Sequence, residues 1–91
     1  MDVVKAHVYF SGHVQGVFFR AFTRENAIKL GVNGWVRNLP DGRVEAVFEG
    51  PRDKVEKLIY LCRYRHPYAR VDEVKIEYGE PEGFQNFRVR Y

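Results

Sequence analysis

Cysteine is almost absent. Cys62 stands alone in a chain of 91 residues, which excludes an internal disulfide framework and fits a reducing compartment. The sequence contains no run of about 20 apolar residues, so no helical span of a bilayer is expected. The opening residues, Met1-Asp2-Val3-Val4-Lys5, lack the basic segment and long apolar stretch of a secretion signal, and a cytoplasmic protein is expected. Net charge is scarce too: 15 Lys and Arg against 12 Asp and Glu leave +3. That is too mild, and too dispersed, to announce a nucleic-acid partner, but it suits a small anionic ligand. Repeats, low-complexity tracts and linkers are also missing, so a single domain over residues 1–91 is expected.

What is there is a core-forming pattern. Apolar residues make up 45% of the chain, enough for a small domain that buries roughly 60–65% of its unfolded surface. Ala6, Val8 and Phe10 alternate with His7, Tyr9 and Ser11, which predicts a half-buried strand. Gly12 to Gly16 breaks this period and is expected to be a loop. From Phe19 the period becomes helical, with Phe19, Phe22, Ala27 and Leu30 on one face and Gly31 at the C-cap. Gly34–Asn38 and Arg43–Glu49 flank Pro40-Asp41-Gly42 and predict a hairpin. Asp53 is a candidate N-cap, with Pro51 or Arg52 as alternative first helical residues. Val55, Leu58, Ile59 and Cys62 follow the spacing of a second helix, which Pro67 must stop. Val71–Tyr78 and a short segment through Phe87, Val89 and Tyr91 complete the strands. The order βαββαβ, with a possible extra C-terminal edge strand, predicts an α+β, ferredoxin-like sandwich: an antiparallel sheet with two helices on one face. That architecture hosts many functions.

One segment carries chemistry. Gly12-His13-Val14-Gln15-Gly16-Val17-Phe18-Phe19-Arg20 joins a strand to a helix. Glycines let such a backbone turn and aim successive N–H groups inward, and the helix start adds unpaired donors with a partial positive charge. Arg20 lies where a cation is disfavoured by about 0.3–1 kcal/mol, with no acidic neighbour to offset it. A bound phosphate gripped by the guanidinium would reverse that sign; a solvated arginine that tolerates its position is the alternative, and spacing alone leaves both open. No Gly-Lys-Ser/Thr follows, so this is not a Walker A loop. A second block, Gly34-Trp35-Val36-Arg37-Asn38 through Asp41-Gly42, sets Asn38 where a strand meets a turn. Its amide can position a water or form an Asx turn, and the turn is the plainer reading of the residues alone.

The two blocks together, Gly12-x-Val14-Gln15-Gly16-Val17-x-Phe19-Arg20 and Gly34-Trp35-Val36-x-Asn38 followed by Asp41-Gly42-x-Val44-Glu45, resemble the acylphosphatase family. Length, element order and the closing Phe87-Arg88-Val89-Arg90-Tyr91 extend the similarity along the chain. The resemblance implies hydrolysis of acyl phosphates to a carboxylate and inorganic phosphate, with neither metal nor cofactor. It implies that Arg20 binds phosphate together with backbone N–H groups of Gln15, Gly16, Val17, Phe18, Phe19 and Arg20, that Asn38 orients the attacking water, and that Gly12 is a structural glycine of the site. The blocks hold no obvious general base or nucleophile. That agrees with an anhydride substrate whose carboxylate leaving group needs no general acid, and the water's proton can pass to a phosphate oxygen. His13 departs from the commonest family pattern, a basic residue, and Phe18 is bulky at a variable position.

Other candidates read as structural. Cys62 is expected to pack inertly in the core. His7 and His66 are too far apart in sequence to suggest a metal site. Arg63-Tyr64-Arg65-His66 and Arg88-Val89-Arg90-Tyr91 interleave basic and aromatic residues as single-strand binders do, and a solvated surface is the expected reading. The rival to an enzyme is a non-catalytic ferredoxin-like module that binds RNA or a protein. The third strand, Arg43-Val44-Glu45-Ala46-Val47-Phe48-Glu49, lacks the glycine-aromatic signature of an RRM. A monomer acting on a small acyl phosphate, without a membrane or nucleic-acid partner, is expected.

Overall fold

The computed structural model describes residues 2–91. Its elements are β1 (Val3–His13), α1 (Phe19–Leu30), β2 (Asn33–Asn38), β3 (Val44–Pro51), α2 (Arg52–Tyr64), β4 (Arg70–Gly79) and β5 (Phe87–Arg90). They form one five-stranded sheet in the order β4-β1-β3-β2-β5. The ferredoxin-like sandwich and its extra edge strand are present. One feature of the expected architecture needs correction: the sheet is mixed. β1 pairs antiparallel with β3 and β4, and β2 antiparallel with β3, but β5 lies parallel to β2. The cause is the 80–86 connection, which leaves one edge of the sheet and reaches the other. The carboxylate of Glu49 holds it there, accepting from the N–H groups of Glu82, Gly83 and Phe84.

Val4, Ala6, Val8 and Phe10 of β1 face the helices with Val44, Ala46 and Phe48 of β3. Phe10, Phe19, Phe48 and Leu58 are fully buried, each contributing about 1.5–3 kcal/mol. Helix α2 buries the expected Val55, Leu58, Ile59 and Cys62. Helix α1 departs from the expected face at three positions. It buries Phe19, Thr23 and Ala27, while Phe22 and Leu30 pack half-buried at the margin. Thr23 tolerates burial because its hydroxyl donates to the Phe19 carbonyl at 2.8 Å and lies 3.4 Å from Cys62 Sγ. Gly31, left-handed at φ 72°, ends α1 as expected.

The opposite face of the sheet is a polar layer around Glu45. Arg37 Nε donates to this carboxylate at 2.6 Å, Tyr9 Oη donates at 3.1 Å, and His7 Nε2 lies 2.6 Å away. Burial pushes the Glu45 carboxyl up, but these hydrogen bonds outweigh it and hold the group below the usual carboxylate range.

Candidate active site

The site begins where β1 ends, and β1 runs further than the alternation predicted. It continues through Gly12 and His13 across a register shift after Ser11, pairing Gly12 with Val71 and His13 with Arg70. Gly12 sits at φ 130°, and a Cβ there would collide with the Arg70 carbonyl oxygen. Its structural role is therefore close approach of two backbones at the bulge. Only then does the chain leave the sheet. Gly16 turns at φ 75° with open space around it, and Phe18 enters α1 at φ 62°, ψ 29°. Phe18 is the one non-glycine residue with positive φ among those described, a conformation costing about 1–2 kcal/mol.

Two consequences follow for the loop. Left-handed residues at positions 16 and 18 flank Val17 and lead into the α1 N-terminus, where the first N–H groups have no intrahelical acceptor. Among the described residues, no backbone carbonyl outside the helix accepts from the N–H groups of Gln15 to Arg20. The first turn of α1 also contains no acidic side chain. The loop thus ends, beside Arg20, at a helix start with no acidic side chain of its own.

Arg20 and Asn38 line the same pocket, of about 340 Å³, with Gly16, Phe18, Val89 and Tyr91 among its walls. Sequence reasoning named both polar residues, and the fold brings them together. Asn38 closes β2 opposite Val44; its Oδ1 is buried and accepts no hydrogen bond from the described residues. A buried, unpaired amide oxygen calls for an explanation, and here it belongs to a residue that lines the same pocket as Arg20. Among the described residues, Arg20 is the only charged side chain in that wall. Its Nη1 donates to the Arg90 carbonyl at 3.4 Å, and its guanidinium carbon lies 4.8 Å from the Tyr91 ring centre. Among the described residues Arg20 forms no ion pair with a carboxylate.

Two features of the site are not decided by the sequence. The end of β5 walls the pocket and steadies Arg20. The other is the Gln15 side chain, which fastens the loop to the hairpin that carries Asn38. Its Nε2 donates to the carbonyls of Leu39 at 2.8 Å and Arg43 at 2.9 Å, the same turn whose own bond joins Leu39 N–H to Arg43 O. Residues 24 and 28 positions away in sequence give no local signal of such a contact.

Apart from Phe18, the remaining candidates fall outside the pocket. His13 is exposed on β1, and Phe18, 80% exposed, stands at the pocket mouth. The Cys62 thiol is pushed up to about 12 by burial, only partly offset by Thr23, so it is no nucleophile at neutral pH. His66 Nδ1 accepts from the N–H groups of Tyr68 and Ala69, and its ring packs on Phe19 and Phe22. His7 belongs to the Glu45 layer across the sheet. Among the described residues no three His, Cys, Asp or Glu are grouped to hold a metal. The basic-aromatic tracts stack internally: Arg63 on Tyr64, Arg65 on Tyr60, Arg90 on Trp35. No helix is long and apolar enough to cross a membrane.

Comparisons with known proteins show the family. The acylphosphatase sequence profile matches residues 6–89. An acylphosphatase of Haloarcula marismortui is 56% identical over 91 residues, covering all of both chains. Among solved structures, an acylphosphatase from Coxiella burnetii superposes with a TM-score of 0.92 at 42% identity, over 98% of this chain and 94% of that one. The acylphosphatase from Bacillus subtilis gives 0.93 at 31% identity, over 97% and 99%. The chain belongs to the acylphosphatase family.

Proposed function

We propose that the pocket between α1, β2 and β5 hydrolyses acyl phosphates without a metal or cofactor, with Arg20 and the N–H groups of Gln15 to Arg20 holding the phosphoryl oxygens and Asn38 placing the water. The observation that carries this reading is the shared wall: Gly16, Phe18, Phe19 and Arg20 of the loop and Asn38 of the hairpin line one pocket. In the reaction a water oxygen forms a bond to phosphorus as the bond from phosphorus to the acyl oxygen breaks. The Asn38 side-chain amide hydrogen-bonds that water and aligns its lone pair. The water's proton passes to a phosphoryl oxygen, and a carboxylate leaves without protonation. The absence of carboxylate, histidine and cysteine side chains from the pocket wall suits a substrate that needs neither general acid nor nucleophile. Donors already oriented in the loop stabilise the charge that develops on the phosphoryl group.

One domain spanning the chain suffices for this chemistry, and we assign it to a monomer. The internal stacking of the basic tracts argues against a nucleic-acid partner. The lone, buried Cys62 suits the cytoplasm.

The test is hydrolysis of benzoyl phosphate in EDTA by the wild type and by Asn38→Ala. The variant should bind inorganic phosphate as the wild type does, and its kcat should fall roughly 10²–10³-fold, the scale of one lost positioning group. Equal loss of phosphate affinity would overturn the division of roles. No wild-type turnover above background would favour a binding module.

A further inference from the structure

The two edges of the sheet are built differently. β5 is four residues long and sets Arg88 and Arg90 on one side of the sheet, so a second strand of the same sequence would bring arginine against arginine. β4 is ten residues long and pairs only with β1. Its outer row of backbone N–H and C=O groups has no partner among the described residues. Such a row is a template for another strand unless a bulge, proline or repelling charge spoils it. β4 has its bulge at one end only. Ser11 pairs with Glu73 and Gly12 with Val71, which leaves Asp72 as the extra residue. From Glu73 to Gly79 the ladder to β1 runs without a break.

The centre of that regular stretch is Ile76. Consider a two-fold axis through Ile76, perpendicular to the sheet, that brings up a second copy of β4 antiparallel. Glu73 then faces Gly79 of the second copy, Val74 faces Tyr78, Lys75 faces Glu77, and Ile76 faces its own equivalent. On the helix side apolar meets apolar, where Ile76 and Tyr78 are 41% and 45% exposed in the single chain. On the open side Lys75 meets Glu77 twice, and opposite charges directly across strands attract. Among the described residues neither Lys75 nor Glu77 forms an ion pair within the chain. Moving the axis by one residue destroys the match. Centred on Lys75, lysine faces lysine and Glu73 faces Glu77; centred on Glu77, glutamate faces glutamate and Lys75 faces Gly79. The length of the regular edge, its apolar side and its charges therefore select the same register.

We propose that the β4 edge is a self-complementary docking surface for a second copy of this chain, joined antiparallel about Ile76 so that the two sheets become one with the helices of both copies on the same face. A two-fold contact of this kind closes on itself, so association stops at two chains. The edge is small beside the roughly 800 Å² per partner of a stable complex, so the pair forms only as concentration rises. The phosphate pocket lies by β2 and β5, at the far side of the sheet. The single chain remains the catalytic unit, and the inference does not depend on the hydrolase reading.

Sedimentation equilibrium from about 10 μM to about 1 mM protein covers the range of a weak complex. The wild-type mass should rise from one chain to two and go no further. Lys75→Glu sets glutamate against glutamate on both sides of the axis and should weaken association about 10-fold or more. Glu77→Lys sets lysine against lysine and should do the same. The double variant Lys75→Glu/Glu77→Lys exchanges the charges and should restore the dissociation constant to within about 3-fold of the wild type. Both positions are exposed, so folding is retained. Amide hydrogen exchange should slow with concentration in Glu73–Gly79 and not in Phe87–Arg90. A wild type that stays a single chain at about 1 mM, or grows beyond two, overturns the proposal. So does a dimer indifferent to the single variants, or a double variant as weak as they are.

Discussion

The two helices begin in opposite ways. Helix α2 starts after Pro51, at a relaxed φ of −56°, with Asp53 in its first turn and the Arg52 N–H donating to the Asp2 carbonyl at 3.0 Å. Helix α1 starts after Phe18 in the left-handed region, with no acid in its first turn. Neither has a side-chain cap, and both carry an arginine over a tyrosine ring, Arg52 at 4.9 Å from Tyr78 and Arg20 at 4.8 Å from Tyr91. The start of α2 offsets its dipole with an acid of its own. The start of α1 adds a cation to its dipole, beside a pocket. The difference teaches where this fold gives up local stability: at the end of the helix that faces Asn38.

The largest effect should separate the two arginines. Arg20→Ala is expected to lose inorganic phosphate binding and to lower kcat/KM by about 10³-fold or more, because it removes the pocket's only charged side chain from a site built on preorganised donors. Arg52→Ala should leave both within about two-fold. Competitive inhibition by phosphate and steady-state kinetics on benzoyl phosphate measure the pair. Similar losses in both would mean that general positive charge, not the α1 start, attracts the substrate.

The next effect concerns how the open helix start is held. Gln15→Ala removes two hydrogen bonds to the β2–β3 turn, about 1–3 kcal/mol at typical net values, and should lower the unfolding midpoint by at least about 4 °C. Gln15 is a positioning residue, so phosphate affinity should survive while kcat falls roughly 10- to 100-fold, the cost of a misplacement near 1 Å between Asn38 and the loop. A loss of stability with kcat intact would reduce the contact to a structural clasp.

These predictions also mark what the sequence could disclose. Strict alternation along Ala6–Phe10 and the spacing of Val55, Leu58, Ile59 and Cys62 record burial directly, because one face of each element meets the core. Arg20 stands out because a cation at a helix start is unexplained by its local context, whereas Asn38 reads locally as a turn residue and is singled out only by the resemblance of the two blocks. The partners that complete the site left no local trace. Gln15 reaches across 24 and 28 residues, and the Val89–Tyr91 wall exists only because β5 joins β2 in parallel at the far edge. Gly12 and His13 read as a loop, since glycine breaks the alternation, yet the bulge after Ser11 lets the strand absorb them. The left-handed Phe18 defies prediction for a plain reason: an aromatic residue is a poor choice there.

That poor choice gives the smallest effect and the clearest sign test. Phe18 is 80% exposed, so replacing it by glycine forfeits little burial and relieves about 1–2 kcal/mol of left-handed strain. The added freedom of the unfolded chain takes back about 0.5–1 kcal/mol, leaving Phe18→Gly more stable by roughly 0.5–1 kcal/mol. At the other helix Pro51 is already relaxed, so Pro51→Gly gains no strain relief and should be less stable by about 0.4–1 kcal/mol through the same unfolded-state freedom. Urea unfolding of the two variants should therefore move in opposite directions. If Phe18→Gly is the stabler protein and the weaker phosphate binder, the strain is being held to keep the loop donors aimed. If it is destabilised, what the ring buries in the groove that it lines with Phe22 and His66 outweighs the backbone cost, and the contrast between the two helix starts is one of packing rather than of function.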